Sequence, residues 1–258
     1  MKKHFWKILL LALALLALVA LRARSDKKAD TQPSNEEPQD TAVMAISGEA
    51  REIQLGKVVE NTARGGIDLT VTQEDGTQTT YTFTDVAADA WYTRAINFAV
   101  SAGLMNGVAD KDLFQPEYGI SRELFTVIIY RLADGEATSP SANFNDVEEG
   151  KWYYDAVNWA VDKGLLAGKS DKEFGIGDFV TCEQALIVLY RLAGEPKTDA
   201  TLEDYPYAPK VSSYGLDAVK WAWGSGLITE KECVWYPTQA ISRAQVALLL
   251  MRYSAMEK

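Results

Sequence analysis

Two arginines hold the most specific chemistry in this chain. Arg122 and Arg243 each follow a serine, Ser121 and Ser242, of the kind that caps a helix N-terminus, and each opens an apolar run of helical length. The partial positive charge of the helix dipole disfavours a cation there, so charge alone would not choose an arginine. A free helix start beside a guanidinium is, however, a good anion site, because backbone N–H groups and a planar fork can grip one carboxylate or phosphate together. Ser121, Arg122, Ser242 and Arg243 are therefore the first candidate ligand residues.

Reactive side chains are scarcer. The only histidine is His4, inside the leader, which leaves no imidazole for a Ser–His or Cys–His pair or for a His-based metal site. Asp plus Glu number 36, so inventory alone does not exclude a two-carboxylate glycosidase, but the acids recur with the repeats or lie in a spacer. The sequence therefore predicts no catalytic residue, no metal and no cofactor. Cys182 and Cys233 are the only cysteines; compartment permits a disulfide, while their spacing gives no assurance of one, and buried free thiols are the plainer expectation. A net charge of −10 and a pI near 4.8 have the wrong sign for a nucleic-acid partner.

The elements that must position these residues form a threefold internal repeat. Residues 120–133, 180–193 and 241–254 read as three copies of one helix, ending in Arg131, Arg191 and Arg252, which suit the helix C-terminus structurally. Thr181 with Gln184 and Ser242 with Gln245 complete capping boxes. A first helix precedes each, over residues 91–102, 152–163 and 214–225, and stops at Gly103, Gly164 or Gly226. A period of about sixty residues exceeds the common helical solenoids and suits a closed pseudo-threefold arrangement or a short helical stack.

Upstream, residues 1–24 combine a basic head with an apolar run from Ile8 to Leu21, which is shorter than the roughly 20 residues of a spanning helix and reads as a secretory signal, possible also as an uncleaved anchor. Residues 25–41 lack large apolar side chains and read as a disordered linker. Residues 42–82 alternate: Ile67, Leu69 and Val71 share one strand face, and Asp75-Gly76 marks a hairpin turn to Tyr81, with one more strand from Ile53 to Val59. About forty residues make a small core that must lean on the repeats downstream.

The repeats resemble the S-layer homology module. The resemblance rests on Phe83, Asp85, Val86, Trp91, Ala95, Ile96, Gly103, Leu104, Phe114, Pro116, Ser121, Arg122, Tyr130 and Arg131, in order and spacing, over about two thirds of the chain. It implies modules at residues 83–137, 144–195 and 204–256 in one compact, mainly α fold, a pseudo-threefold bundle of helix-loop-helix repeats behind the small β-rich segment. It also implies binding of secondary cell-wall polysaccharide attached to peptidoglycan, often through a pyruvylated sugar, at the surface of a Gram-positive-type envelope. Trp91 and Trp152 can stack on sugar faces, although a Trp beside Tyr92 or Tyr153 in a first helical turn is more often core. Asp85 and Asp146 stand ahead of a helix, where turn formation competes with ligand contact. Repeat two departs from the pattern with Cys182 for the arginine and Ile176 for the proline, and repeat three with Tyr205-Pro206-Tyr207 for F-x-D and Tyr214 for Trp. The expected function is non-catalytic wall anchoring, with weak or no binding where Cys182 stands and a protein partner on the β-rich segment. The alternative is an exported interaction or assembly component whose glycan sites have degenerated.

Overall fold

The computed structural model describes residues 41–45, 50–140 and 143–256. The expected signal and all of the expected linker except Thr41 lie outside the described residues. Five strands come first: β1 (Thr41–Ala45), β2 (Ala50–Gln54), β3 (Lys57–Glu60), β4 (Ile67–Thr72) and β5 (Gln78–Phe83). β1 pairs antiparallel with β2, and β3, β4 and β5 make a second antiparallel sheet in that order. Alternation puts Ile67, Leu69 and Val71 on the buried face of β4. At the turn, Asp75 Oδ1 accepts from Thr77 N at 2.9 Å. Where one further strand was expected around Ile53 to Val59, the chain makes two, β2 and β3, broken at Gly56, with β1 as an additional partner.

Six helices follow among the described residues: α1 (Thr93–Ser101), α2 (Arg122–Leu132), α3 (Tyr154–Asp162), α4 (Cys182–Leu192), α5 (Leu216–Gly224) and α6 (Arg243–Ser254). Short 3-10 turns at Ala208–Lys210 and Ser213–Gly215 lead into α5. The expectation of a mainly α bundle is corrected: with 32% helix, 15% strand and two sheets, the fold is mixed α/β. The cause is local. Start and stop signals bracket each helix closely, so the helices are only 9 to 12 residues long, and the alternating residues ahead of them go into strands. Gly103, Gly164 and Gly226 end the first helices with φ of 70°, 67° and 73°, a conformation that costs glycine no Cβ clash.

The repeats interlock. α2 packs on α3, α4 on α5, and α6 returns to α1, so the second helix of each repeat faces the first helix of another. A linear stack would leave α6 and α1 apart; here they are partners. Backbone hydrogen bonds trace the same circuit at the centre: Ile120 N–H donates to Ile241 O at 3.0 Å, Val180 N–H to Ile120 O at 3.0 Å, and Ile241 N–H to Val180 O at 2.9 Å. The strands join this ring rather than standing off from it. β1 meets α6, and β2 and β4 meet α1. Asn97 on α1 clasps the Gly56 peptide on both sides, accepting from its N–H at 2.8 Å and donating to its carbonyl at 2.7 Å. Phe83 ends β5 and packs edge-on to Phe114 of the first repeat at 5.5 Å. One buried core therefore continues from Met44 and Ile53 to Tyr253.

Candidate functional site

The helix starts that carry the two arginines are not open. Arg122 N–H donates to Asp178 O at 2.8 Å, Arg243 N–H to Tyr118 O at 2.9 Å, and Ala244 N–H to Pro116 O at 2.8 Å. Each helix mouth is closed by the loop of the repeat it abuts, which corrects the expectation of free N–H groups for an anion. Thr181 and Ser242 form the expected capping boxes with Gln184 and Gln245. Ser121 cannot, because Leu124 stands where Gln is needed; its hydroxyl donates to Glu123 Oε1 at 2.6 Å, and Glu123 Oε2 accepts from Gly177 N at 2.9 Å.

The guanidinium groups reach across the same junctions. Arg122 Nε donates to Phe174 O at 3.0 Å and its Nη2 to Ala167 O at 2.8 Å, with the guanidinium 4.8 Å from the centre of the Phe174 ring. Arg243 repeats the arrangement on the first repeat: Nε to Phe114 O at 2.7 Å, Nη2 to Asn106 O at 2.6 Å, and 4.6 Å to the Phe114 ring. The two residues are 8% and 7% exposed. Burial lowers both guanidinium groups from their ordinary value, opposed by Asp178, Asp146 and Glu123 around Arg122 and by Asp85 near Arg243. Arginine stays charged regardless. Each is thus a bridge that fills two loop carbonyls of another repeat and stacks on its phenylalanine.

The third junction has Cys182 at this place, and the two carbonyls find other donors. Tyr205 O–H donates to Trp235 O, and the Trp235 indole N–H donates to Thr229 O at 2.8 Å. Trp235 and Thr229 occupy the places of Phe174 and Ala167. Glu183, 1% exposed, accepts from Ser212 N at 3.0 Å, Ser212 Oγ at 2.6 Å and Tyr214 O–H at 2.8 Å, joining α4 to the approach to α5. Cys182 and Cys233 are free. Burial pushes the Cys182 thiol up to about 12 and the Cys233 thiol up to about 11, so neither is a thiolate nucleophile near neutrality.

Asp85 and Asp146 hold loops. Asp85 accepts from Phe114 N at 2.8 Å and Gln115 N at 2.7 Å; Asp146 accepts from Phe174 N at 2.8 Å, Gly175 N at 2.7 Å and Ile176 N at 2.9 Å. Burial raises the Asp146 carboxyl, yet the backbone N–H groups of Ile176, Phe174 and Gly175 together outweigh it, and the group sits below its ordinary value. Arg131, Arg191 and Arg252 donate to Leu104 O, Leu165 O and Leu227 O at 3.2, 3.1 and 3.2 Å. They tie the second helix of each repeat to the turn after its first.

Three of the candidate residues do share a groove. Arg243, Ser121 and Trp152 line a cleft of about 390 Å³, together with the Leu104 turn, Gln115 and the rings of Tyr118 and Phe179. The core expectation for Trp152 is corrected: it is 61% exposed, and Tyr153 beside it takes the core position. Trp91 is half-buried against the core and Arg122 stands at a different junction. Residue type alone did not mark Tyr118 or Phe179. An aromatic at a loop tip, or at a repeat position where the other copies differ, was the available signal.

An S-layer homology domain profile matches residues 82–123 and 143–186. The third repeat, whose opening departs most, lies beyond both segments. The chain is 25% identical over 182 residues to an exoglucanase, XynX, of Acetivibrio thermocellus, covering 69% of this chain and 16% of that one. It is 30% identical over 138 residues to a surface-layer 125 kDa protein of Lysinibacillus sphaericus, covering 54% and 12%, and 29% identical over 119 residues to an S-layer protein of Bacillus licheniformis, covering 45% and 13%. The chain therefore spans less than a fifth of the length of these relatives. S-layer homology domains are cell-surface anchoring modules, and two of these relatives are by name surface-layer proteins.

Proposed function

We propose that this chain is a non-catalytic cell-wall anchor, whose three S-layer-homology-like repeats bind secondary cell-wall polysaccharide at an acidic, pyruvylated sugar. The observation that carries the reading is the cleft that gathers Arg243, Ser121 and Trp152 with exposed aromatic rings, a cation and stacking faces around one concavity. The cation is local, which matters on a chain of net charge −10: long-range attraction cannot draw in an anionic polymer, so recognition falls to contacts inside the groove. The β-rich segment supplies the surface for a protein partner, and an amino-terminal signal exports the whole.

The spent donors of Arg122 and Arg243 favour a second reading, in which the repeats serve assembly with a protein partner and no longer bind glycan. Sedimentation of the full chain with purified wall sacculi, before and after chemical removal of the secondary polysaccharide, separates the two. Retention that depends on the polysaccharide supports anchoring; retention indifferent to it, or none, overturns anchoring.

A further inference from the structure

Phe179 breaks the symmetry of the ring centre. Its equivalents in the other repeats are Gly119 and Ala240, and its ring lies over Gly119: a Cβ there would stand 3.0 Å from Phe179 Cδ1. The missing side chain at Gly119 is what gives the ring its seat. Tyr118 meets it edge-on, with centroids 6.0 Å apart. The two rings are 50% and 58% exposed, and both line the groove that holds Arg243 and Trp152. Soluble surfaces seldom leave aromatic rings clustered and open without a use for them.

We propose that Phe179 and Tyr118 form a second sugar subsite, which takes the apolar face of a neutral pyranose ring next to the acidic sugar in the Arg243 groove. This rests on the glycan reading above and extends it to the neighbouring unit of the polymer. An edge-to-face pair leaves a ring face free, and the C–H face of a pyranose fits such a face. Asn106, Gln115 and Ser121 line the same groove and offer amide and hydroxyl groups to ring hydroxyls. Gln115 is held at φ 59°, in the left-handed region that a side chain adopts only when its surroundings impose it. A second copy of this chain is the poorer occupant, since two bodies of net charge −10 repel.

The test titrates the full chain, Phe179→Ala and Phe179→Leu with two probes: secondary polysaccharide released from purified walls, and an isolated pyruvylated monosaccharide. Circular dichroism melts confirm that each variant is folded. The subsite predicts about tenfold weaker polymer binding for Phe179→Ala, a smaller loss for Phe179→Leu, and unchanged binding of the single acidic sugar. Polymer binding by the unaltered chain that survives Phe179→Ala intact overturns the subsite alone. No polymer binding by the unaltered chain overturns the glycan reading and the subsite with it. A concentration-dependent dimer abolished by Phe179→Ala in sedimentation equilibrium assigns the rings to self-association and also overturns the subsite.

Discussion

Arg122 and Arg243 solve one structural problem in one way, and the junction at Cys182 solves it in another. At every junction a loop offers two inward carbonyls, from Phe174 and Ala167, Phe114 and Asn106, or Trp235 and Thr229. A single guanidinium fills both acceptors in the first two cases. In the third, a tyrosine hydroxyl and an indole N–H fill one each, and the first residue of α4 is left small and apolar. The departures of the third repeat are therefore coupled: Tyr205 and Trp235 supply what Cys182 does not. A buried carbonyl demands a donor whichever residue provides it.

The largest effect expected from this comparison comes from removing a bridge. Arg122→Ala unpairs the buried Phe174 carbonyl and the part-buried Ala167 carbonyl and loses the stack on Phe174, so denaturant unfolding should show a loss of about 2–3 kcal/mol. Cys182→Ala removes only a buried sulfur and should cost about 1 kcal/mol. Equal losses in the two variants would break the contrast between the junctions. Next in size is grafting. Cys182→Arg forces a guanidinium into a junction whose carbonyls are already filled, with a cost of about 1–3 kcal/mol from overpacking. Tyr205→Phe frees the Trp235 carbonyl and should cost about 1–2 kcal/mol alone. In the double variant the new Nε can take that carbonyl, so the two losses should sum to less than their separate values in a double-mutant cycle. Strict additivity would mean that Cys182 and Tyr205 do not share a task.

How far this arrangement was legible in the sequence differs with range. Helix starts at Ser121, Thr181 and Ser242, helix stops at the three glycines, and the turn after Thr72 are local signals, and each lies within a few residues of what it specifies. The partners of the arginines lie 45 to 137 residues away, and no local pattern encodes them. That gap is why the bridging contacts of Arg122 and Arg243 could not be read from the sequence. β1 was not expected, and β2 and β3 were expected as one strand, because Thr41–Ala45 and Ala50–Gln54 carry few alternating large apolar residues; β1 packs on α6 and β2 on α1. Trp152 misled through its company: Tyr153 takes the buried position, and the indole faces the groove.

The smallest effect separates the repeats by acid. Asp146 accepts three backbone N–H groups in repeat two, while repeat three has Tyr207 at the equivalent position and no carboxylate there. Because the folded carboxyl lies below its unfolded value, the stability it contributes is fully present above the unfolded value near 3.8 and is lost as pH falls through the folded one. Asp146→Asn keeps an acceptor for one N–H but removes the titration, so thermal melts from pH 6 to pH 2 should fall less steeply on the acid side than those of the unaltered chain. Tyr207→Phe, the matching change in repeat three, should leave the acid slope as it is. If Asp146→Asn leaves that slope unchanged, the loop clamps do not distinguish the repeats by acid, and the difference between the junctions is confined to the arginine bridges.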